Sequence, residues 1–298
     1  MSSQKEFRIS QEQLEIELEE IDTFLKSQNI PIPGRPLRAI SEFSKRYNIG
    51  LPISEPIHGT YHESFKYWPI TQFIKHWFDE LYSGRLGLDM GPGRCVFILR
   101  NEPWIFHYPK LFGSFVFGLS REFSSQELEP VDGIAVYNVF ESIKNFPNSL
   151  RKKATDVELQ SILDRFTLGF FSLTILSNLR DSELIKSARA DVEAAITHIM
   201  SPRPEFGLSK WASLQVAEKY LKYILTVKGI NVPKTHNLIV LVDKLKEIGI
   251  NSCVDEEVRF LQCSPSIRYG EQRVLLDDAI NAHHASLSLI LKFEHEEN

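Results

Sequence analysis

His236 is the side chain whose sequence context points most directly to chemistry. Gly229 is typical of the residue that ends a helix, Pro233 prevents an early restart, and Thr235 can cap the next helix. This pattern places His236 in the first turn of a helix. A histidine in that position could act as a base or hold a ligand. It could equally be a structural residue whose ring nitrogens are satisfied by hydrogen bonds.

The segment before His236 predicts a long helix with one apolar and one polar face. Apolar residues recur at steps of three or four, namely Trp211, Leu214, Ala217, Leu221 and Ile224. The opposite face carries Gln215, Glu218, Lys219 and Lys222. Glu218 precedes Lys222 by one helical turn, which favours an ion pair. The polar face is either a solvated surface or part of a ligand site.

Other chemical patterns are weaker. The loop from Leu88 to Arg94 is rich in glycine, and its backbone N–H groups could approach an anion beside Arg94. No GxxxxGK motif follows, and a strand comes next, so a plain turn is the favoured interpretation. The three cysteines are scattered, and no histidine and carboxylate set has metal-ligand spacing. We therefore expect no metal and no cofactor.

The first 150 residues predict mixed secondary structure. Helices are expected at Gln11–Ser27, at Leu37–Tyr47 and through the aromatic segment WPITQFIKHWFDELY. Three β-prone runs follow, CVFILR, WIFHY and FGSFVFGLS, with a hairpin turn expected at residues 101–103. These runs predict a small antiparallel sheet, so the fold class of this half is α+β.

From Asn138 onward the pattern is helical. Helices are expected near residues 138–147, 156–179, 182–200, 209–228, 236–248, 254–262 and 271–294. A run of helices with short connections is typical of an all-α bundle. We predict two domains, a mixed α+β domain over residues 1–150 and a helical bundle over residues 151–298, with the boundary between Asn148 and Asp156.

Composition limits the classes of partner. The formal net charge is −5, so nucleic-acid binding would need a local basic patch. Residues 1–25 carry alternating charges without the apolar core of a signal peptide, and no apolar run reaches about 18 residues. We expect a cytoplasmic protein without a membrane span.

Four linked motifs resemble one known family. They are Ala188-Arg189-Ala190-Asp191, the run Gln215-Val-Ala-Glu-Lys-Tyr-Leu-Lys222, Pro233-Lys-Thr-His-Asn-Leu238 and Ser266-Ile-Arg-Tyr269. Their order and spacing resemble the HEPN domain, a small helical fold first named from nucleotide-binding proteins. The resemblance covers about residues 181–294, and several linked motifs in order are more specific than any single one.

The resemblance implies an all-α bundle and several alternative activities. The family includes RNA-cutting toxins and defence effectors, nucleotide-binding modules, and inactive partners of nucleotidyltransferases. Its ribonuclease branch pairs an arginine with a histidine four to six residues later. The HEPN-like region departs from that pattern, because Arg268 is followed only by the distant His283, and Arg189 lies too far before His198.

The favoured hypothesis is therefore a nucleotide- or RNA-binding interaction module, in a prokaryotic defence or toxin–antitoxin context that the family suggests. Its groove would be lined by Gln215, Lys219, Lys222, His236, Arg268 and Tyr269. In this hypothesis the cations contact phosphate, Tyr269 stacks on a base and His236 donates a hydrogen bond.

The alternative hypothesis is a metal-independent endoribonuclease with a composite dimeric site. Arg268 would stabilise the charged phosphorane-like state, and His236 would move the 2′-OH proton. The resemblance also implies a two-fold homodimer and leaves room for a separate protein partner.

Overall fold

The computed structural model describes residues 7–53, 65–83, 85–86 and 91–297. Leu88, Asp89 and Met90 of the glycine-rich loop lie outside the described residues. By packing, the chain divides into two compact units, Met1–Asp89 and Met90–Asn298. This division differs from the predicted one at residues 150 and 151, because the strands after Met90 pack into the same core as the later helices.

The first unit contains three helices. They are α1 (Gln11–Ser27), α2 (Arg35–Tyr47) and α3 (Trp68–Leu81), with a 3-10 turn at Ile32–Gly34. Ser10 caps α1 in a reciprocal capping box with Gln13. Phe43, Ile74 and Phe78 are fully buried in the core of this unit. The predicted helices are confirmed, and the aromatic segment of α3 serves as core.

A two-stranded antiparallel hairpin opens the second unit. Strand β1 (Arg94–Leu99) pairs with β2 (Glu102–His107), which confirms the predicted small antiparallel sheet. The turn is formed by Arg100 and Asn101, both with positive φ, as a tight two-residue hairpin turn requires. The predicted turn at residues 101–103 was too late in the sequence, because Glu102 and Pro103 already pair with β1.

The third β-prone run does not join this hairpin. Strand β3 (Phe115–Gly118) pairs in parallel with β4 (Ala135–Asn138), so the expectation that all three runs form one antiparallel sheet was wrong. The connection between β3 and β4 is held by the Asn138 side chain, whose Nδ2 donates to the carbonyl of Phe123 at 2.6 Å and to that of Ser120 at 3.2 Å. With the loop held in this way, β4 runs beside β3 in the same direction.

The rest of the second unit is helical, as predicted. Its helices are α4 (Asn148–Lys153), α5 (Asp156–Asn178), α6 (Glu183–Met200), α7 (Phe206–Val227), α8 (Leu238–Glu247), α9 (Asp255–Leu261) and α10 (Leu276–Glu297). Helix α4 was not predicted, and two predicted helices differ most from the structure. Residues 139–142 form a 3-10 turn where a helix was predicted over residues 138–147. Helix α10 begins at Leu276 and not at residue 271, after a 3-10 turn, Pro265–Tyr269, that ends at Gly270 with a φ of +72°. No helix among the described residues is long and apolar enough to cross a membrane.

The hairpin packs against α5 and α10. Phe106 meets the ring of Phe166 on α5 edge to face at 5.4 Å, and both are fully buried. Gly169 permits this approach, because a Cβ there would overlap the Tyr108 hydroxyl and lie 2.9 Å from Cys95 Cβ. The apolar segment of α5 therefore forms the contact between the hairpin and the helices.

Two adjacent histidines on α10 bind the backbone of β1. The N–H of Val96 donates to Nε2 of His283 at 3.4 Å, and Nε2 of His284 donates to the Val96 carbonyl at 2.8 Å. Burial lowers the pKa of His283 to about 4 and that of His284 to about 3. Both rings are therefore neutral near pH 7 and act as structural links.

These histidines predict a loss of folding stability in mild acid. An unfolded histidine takes up a proton as the pH falls through about 6.5, whereas the folded rings stay neutral until about pH 4 and about pH 3. The unfolded state then binds more protons, so the stabilisation is complete above pH 6.5 and decreases as the pH falls towards 4. Each histidine contributes a slope of up to about 1.4 kcal/mol per pH unit.

Urea unfolding followed at several pH values between about 7 and about 5 measures this slope. A free energy of unfolding that is constant over this range contradicts the assignment.

Candidate functional site

The polar face of α7 is not simply solvated. Leu214, Ala217 and Leu221 are fully buried, as the predicted apolar stripe requires, but Glu218 on the other face is only 4% exposed. A buried carboxylate is costly unless it is paired and hydrogen-bonded. The side chains that pair with Glu218 must therefore offset this cost.

Glu218 is held by three side chains. Its Oε1 accepts from Nζ of Lys222 at 2.8 Å, and its Oε2 accepts from Nε2 of Gln215 at 2.9 Å. Nδ1 of His236 lies 2.7 Å from the same Oε2. An ionised carboxylate can only accept, so Nδ1 carries the proton and donates. Nε2 of His236 has no hydrogen-bond partner within the described part of the chain, and the side chain is 57% exposed.

His236 lies just before α8 and not in its first turn. The N-cap of α8 is Asn237, whose side chain accepts from the N–H of Ile239 at 3.0 Å. Thr235 instead accepts from the N–H of Asn237 at 3.0 Å. The predicted cap at Thr235 was therefore wrong by two residues, because the side chain of Asn237, and not that of Thr235, accepts from a free N–H of α8. Glu218, and not the helix terminus, sets the orientation of His236.

Lys219 is also engaged. Its Nζ donates to Oγ of Ser187 at 2.7 Å and pairs with the carboxylate of Asp191 on α6. Burial raises the pKa of Asp191, and the Lys219 ammonium opposes that effect. Arg189, in the same motif as Asp191, donates from Nε to the carbonyl of Leu176 near the end of α5 at 3.0 Å. Three of the motif side chains on α6 and α7 therefore join helices to one another.

An aromatic and guanidinium cluster lies beside His236. The Trp211 ring is 5.6 Å from the imidazole of His236, and the guanidinium carbon of Arg268 lies 4.7 Å from the Trp211 centroid. Arg268 also lies 5.4 Å from the ring of Tyr269, which is 73% exposed. These distances are within the range of cation–π contacts. Arg268 thus lies against two aromatic rings.

Gly207 allows the turn that carries Arg268 to approach α7. A Cβ at Gly207 would lie 2.7 Å from the carbonyl oxygen of Ile267, closer than real side chains come. The 3-10 turn Pro265–Tyr269 therefore rests directly on the start of α7. Nε of Arg268 donates to the Pro265 carbonyl at 3.2 Å, which fixes its direction within the turn.

Five of the six predicted site residues lie along one connected set of contacts, and the sixth, Lys219, follows Glu218 on α7 but pairs with Asp191 on α6. We name this set the α7 surface and define it as Trp211, Gln215, Glu218, Lys219, Lys222, His236, Arg268 and Tyr269. Two of its members were missed as site residues, since Glu218 was interpreted as a surface ion-pair partner and Trp211 as core. The sequence carried no signal for the burial of Glu218, because its spacing from Lys222 is the same in a solvated pair and in a buried one.

The α7 surface has the groups for base stacking and for hydrogen bonding, and fewer free cations than the sequence predicts. Lys219 and Lys222 are neutralised by Asp191 and Glu218, which leaves Arg268 as its exposed cation. Across the residues that the structure describes, no group of three His, Cys, Asp or Glu side chains could hold a metal ion.

Removing the Glu218 carboxylate should both destabilise the fold and release His236. We expect Glu218→Ala to lower the free energy of unfolding by about 3 kcal/mol, because it leaves the mostly buried Lys222 unpaired. Nitrogen NMR should show the His236 proton on Nδ1 in the parent protein and no such preference in the variant. Glu247→Ala is the control, since that side chain is 60% exposed in a surface pair and should cost under about 1 kcal/mol. An unaltered His236 tautomer in Glu218→Ala contradicts the assignment.

Comparison with known proteins identifies one segment. The family model of the HEPN domain matches residues 182–285. No curated protein and no solved structure matches the chain. The matched segment includes α6, α7, α8 and α9 and the first part of α10, and every residue of the α7 surface falls within it. Residues 182–285 of the C-terminal helical bundle therefore match the HEPN domain.

Proposed function

We propose that this HEPN domain is a nucleotide- or RNA-binding module whose ligand occupies the α7 surface. The observation that carries the proposal is the contact of Arg268 with both Trp211 and the exposed Tyr269. An exposed aromatic ring beside a guanidinium offers a stacking face for a base and a charge for the neighbouring phosphate.

The charge distribution favours recognition of bases over recognition of a duplex backbone. Lys219 and Lys222 already pair with carboxylates, so a phosphate would have to compete for them. Arg268 is free of such a partner in the described structure and can contact one or two phosphates. The bases of a duplex are already stacked on one another, whereas those of a single strand can stack on Tyr269. A short single strand is therefore the preferred RNA ligand.

His236 gives the site a hydrogen-bonding group. Because Glu218 accepts the proton of Nδ1, the exposed Nε2 can accept from a base N–H or a ribose hydroxyl, and it donates, as in the predicted role, when the ring carries a second proton.

Binding of a fluorescent single-stranded RNA of about eight nucleotides tests the proposal. We expect Arg268→Ala and Tyr269→Leu each to weaken binding roughly tenfold, since base stacking on an aromatic side chain contributes about 1–3 kcal/mol. Arg273→Ala is the matched control, because it removes an exposed arginine a few residues away and should leave the affinity unchanged. Equal affinities for all four proteins would rule out this surface.

The salt dependence of the same titration measures how many phosphates are contacted. A single-stranded ligand held by one or two phosphate contacts gives a slope of log K against log salt between about −0.7 and about −1.4. A slope several times steeper, with equal affinity for duplex RNA, would mean that an extended cationic surface elsewhere binds the backbone.

A metal-independent endoribonuclease is the second candidate, and the Glu218–His236 pair favours it. With Nδ1 held by the carboxylate, Nε2 could accept the proton of a ribose 2′-OH as that oxygen attacks the adjacent phosphorus. The 5′-oxygen of the next nucleotide would leave and take up a proton, which gives a 2′,3′-cyclic phosphate. Arg268 would stabilise the charge that develops on the phosphoryl oxygens.

Incubation of RNA with the protein in chelator separates the two candidates. Cyclic-phosphate ends that disappear in His236→Ala and in Arg268→Ala, but persist in Arg273→Ala, would establish the ribonuclease. Intact RNA that is nevertheless bound would leave the binding module as the function.

A two-fold homodimer is part of the proposal. Apolar side chains at the end of α7 and on α8 are exposed in the single chain, among them Val227 at 59% and Ile239 at 53%, and association would cover such residues. A light-scattering mass of one chain at micromolar concentration would contradict the dimer. A further protein partner and the defence or toxin–antitoxin context remain predictions from the family.

A further inference from the structure

A second polar cavity lies away from the α7 surface. It has a volume of about 330 Å³, opens to solvent and is lined by residues of α5, α9 and α10. Its polar lining residues include Arg165, Glu256, Glu257, Asn281 and His284. Arg165 belongs to α5, which precedes the segment matched by the family model, so the HEPN match does not assign this cavity.

The guanidinium of Arg165 is available to a ligand. The residue is exposed, and within the described ranges it makes no hydrogen bond or ion pair with the protein. It also lines a neighbouring cavity of about 310 Å³, together with Asn281 and His284. The guanidinium of Arg165, with its fork of N–H donors, therefore lines both cavities.

His284 supplies an acceptor to the same cavity. Its Nε2 proton is used on the carbonyl of Val96 at 2.8 Å, so Nδ1 of the neutral ring has a lone pair and no proton. Burial keeps the ring neutral across the physiological range, since it lowers the pKa to about 3. Asn281 adds an exposed amide, which both donates and accepts.

The two glutamates differ in availability. Oε1 of Glu257 accepts from Oγ of Ser288 at 2.8 Å and pairs with Nζ of Lys292 at 2.7 Å, whereas its Oε2 is buried and has no hydrogen-bond partner in the described structure. Glu256 makes only a surface contact of 3.6 Å with Arg259, and both side chains are about 70% exposed. Such an exposed ion pair contributes little to stability, so Glu256 can accept hydrogen bonds from a ligand.

We propose that this cavity binds the guanine base of a guanosine or guanine nucleotide. Guanine presents two acceptors, O6 and N7, on one edge, and an arginine fork matches them in a bidentate contact. Its other edge presents N1–H and N2–H donors, which a carboxylate such as Glu256 accepts. Phe260 and Leu168 provide the apolar part of the lining that a flat base requires.

The charges of the lining favour a neutral base over an anion. Arg165 is accompanied by the carboxylate of Glu256, by Glu257, whose charge Lys292 offsets, and by Asp277 in the neighbouring cavity. A phosphate placed between them would meet as much repulsion as attraction. Adenine presents an N6 donor where guanine has O6, so it would place a donor against the Arg165 guanidinium. The site therefore distinguishes the two purines.

Isothermal titration of the full chain with guanosine, inosine and adenosine tests this proposal, which stands whether or not the α7 surface binds RNA. We expect guanosine to bind best, inosine to bind more weakly because it lacks the N2 amine, and adenosine to bind at least roughly tenfold more weakly than guanosine, in line with one bidentate pair. Arg165→Lys, which keeps the charge but loses the fork, and Glu256→Gln should each weaken guanosine binding by a similar factor.

One control keeps the test specific to this cavity. Arg180→Lys changes an exposed arginine just beyond α5, outside both proposed sites, and should leave guanosine affinity unchanged. Equal affinity for guanosine and adenosine, or no measurable guanosine binding at millimolar concentration, would overturn the proposal. Guanosine affinity that is unaltered in both Arg165→Lys and Glu256→Gln would overturn it as well.

Discussion

The burial of one carboxylate, Glu218, is the constraint on which the α7 surface depends. Removing an ionised carboxylate from water costs several kcal/mol unless hydrogen bonds and opposite charge offset it. Gln215 and Lys222 supply part of that compensation from the same helix, and His236 supplies the rest from the segment before α8. The carboxylate therefore joins two elements and fixes a histidine tautomer in a single interaction. Trp211 packs against that histidine, and Arg268 packs against Trp211.

The charged side chains on α6 and α7 mostly bind other parts of the protein, so recognition of a ligand depends on other groups. The lysines that looked available for phosphate are paired with Asp191 and Glu218, and Arg189 binds a helix-end carbonyl. With a net charge of −5, the chain has no general attraction for nucleic acid. Affinity at the α7 surface would then come from stacking on aromatic rings and from one guanidinium, and the proposed guanine cavity would depend on matched donors and acceptors. Both proposals describe recognition of bases.

Features set by local periodicity could be predicted from the sequence, and features set by distant contacts could not. The limits of α1, α3 and α5 follow from caps such as Ser10 and Thr155 and from apolar spacing. The parallel pairing of β3 with β4 depends on Asn138 reaching back across a loop, which no short pattern reveals. Glu218 illustrates the same limit at the site. Its spacing from Lys222 is identical for a solvated pair and for a buried one, and only the approach of His236 decides between them.

Photo-crosslinking of the full chain to a single-stranded RNA that contains 4-thiouridine, followed by mass spectrometry, tests the central claim most directly, because it locates the ligand without altering any side chain. The account predicts adducts on Trp211 or Tyr269 that unlabelled single-stranded RNA abolishes by competition. Adducts confined to the first unit, or to the hairpin of β1 and β2, would contradict it and place recognition outside the HEPN domain.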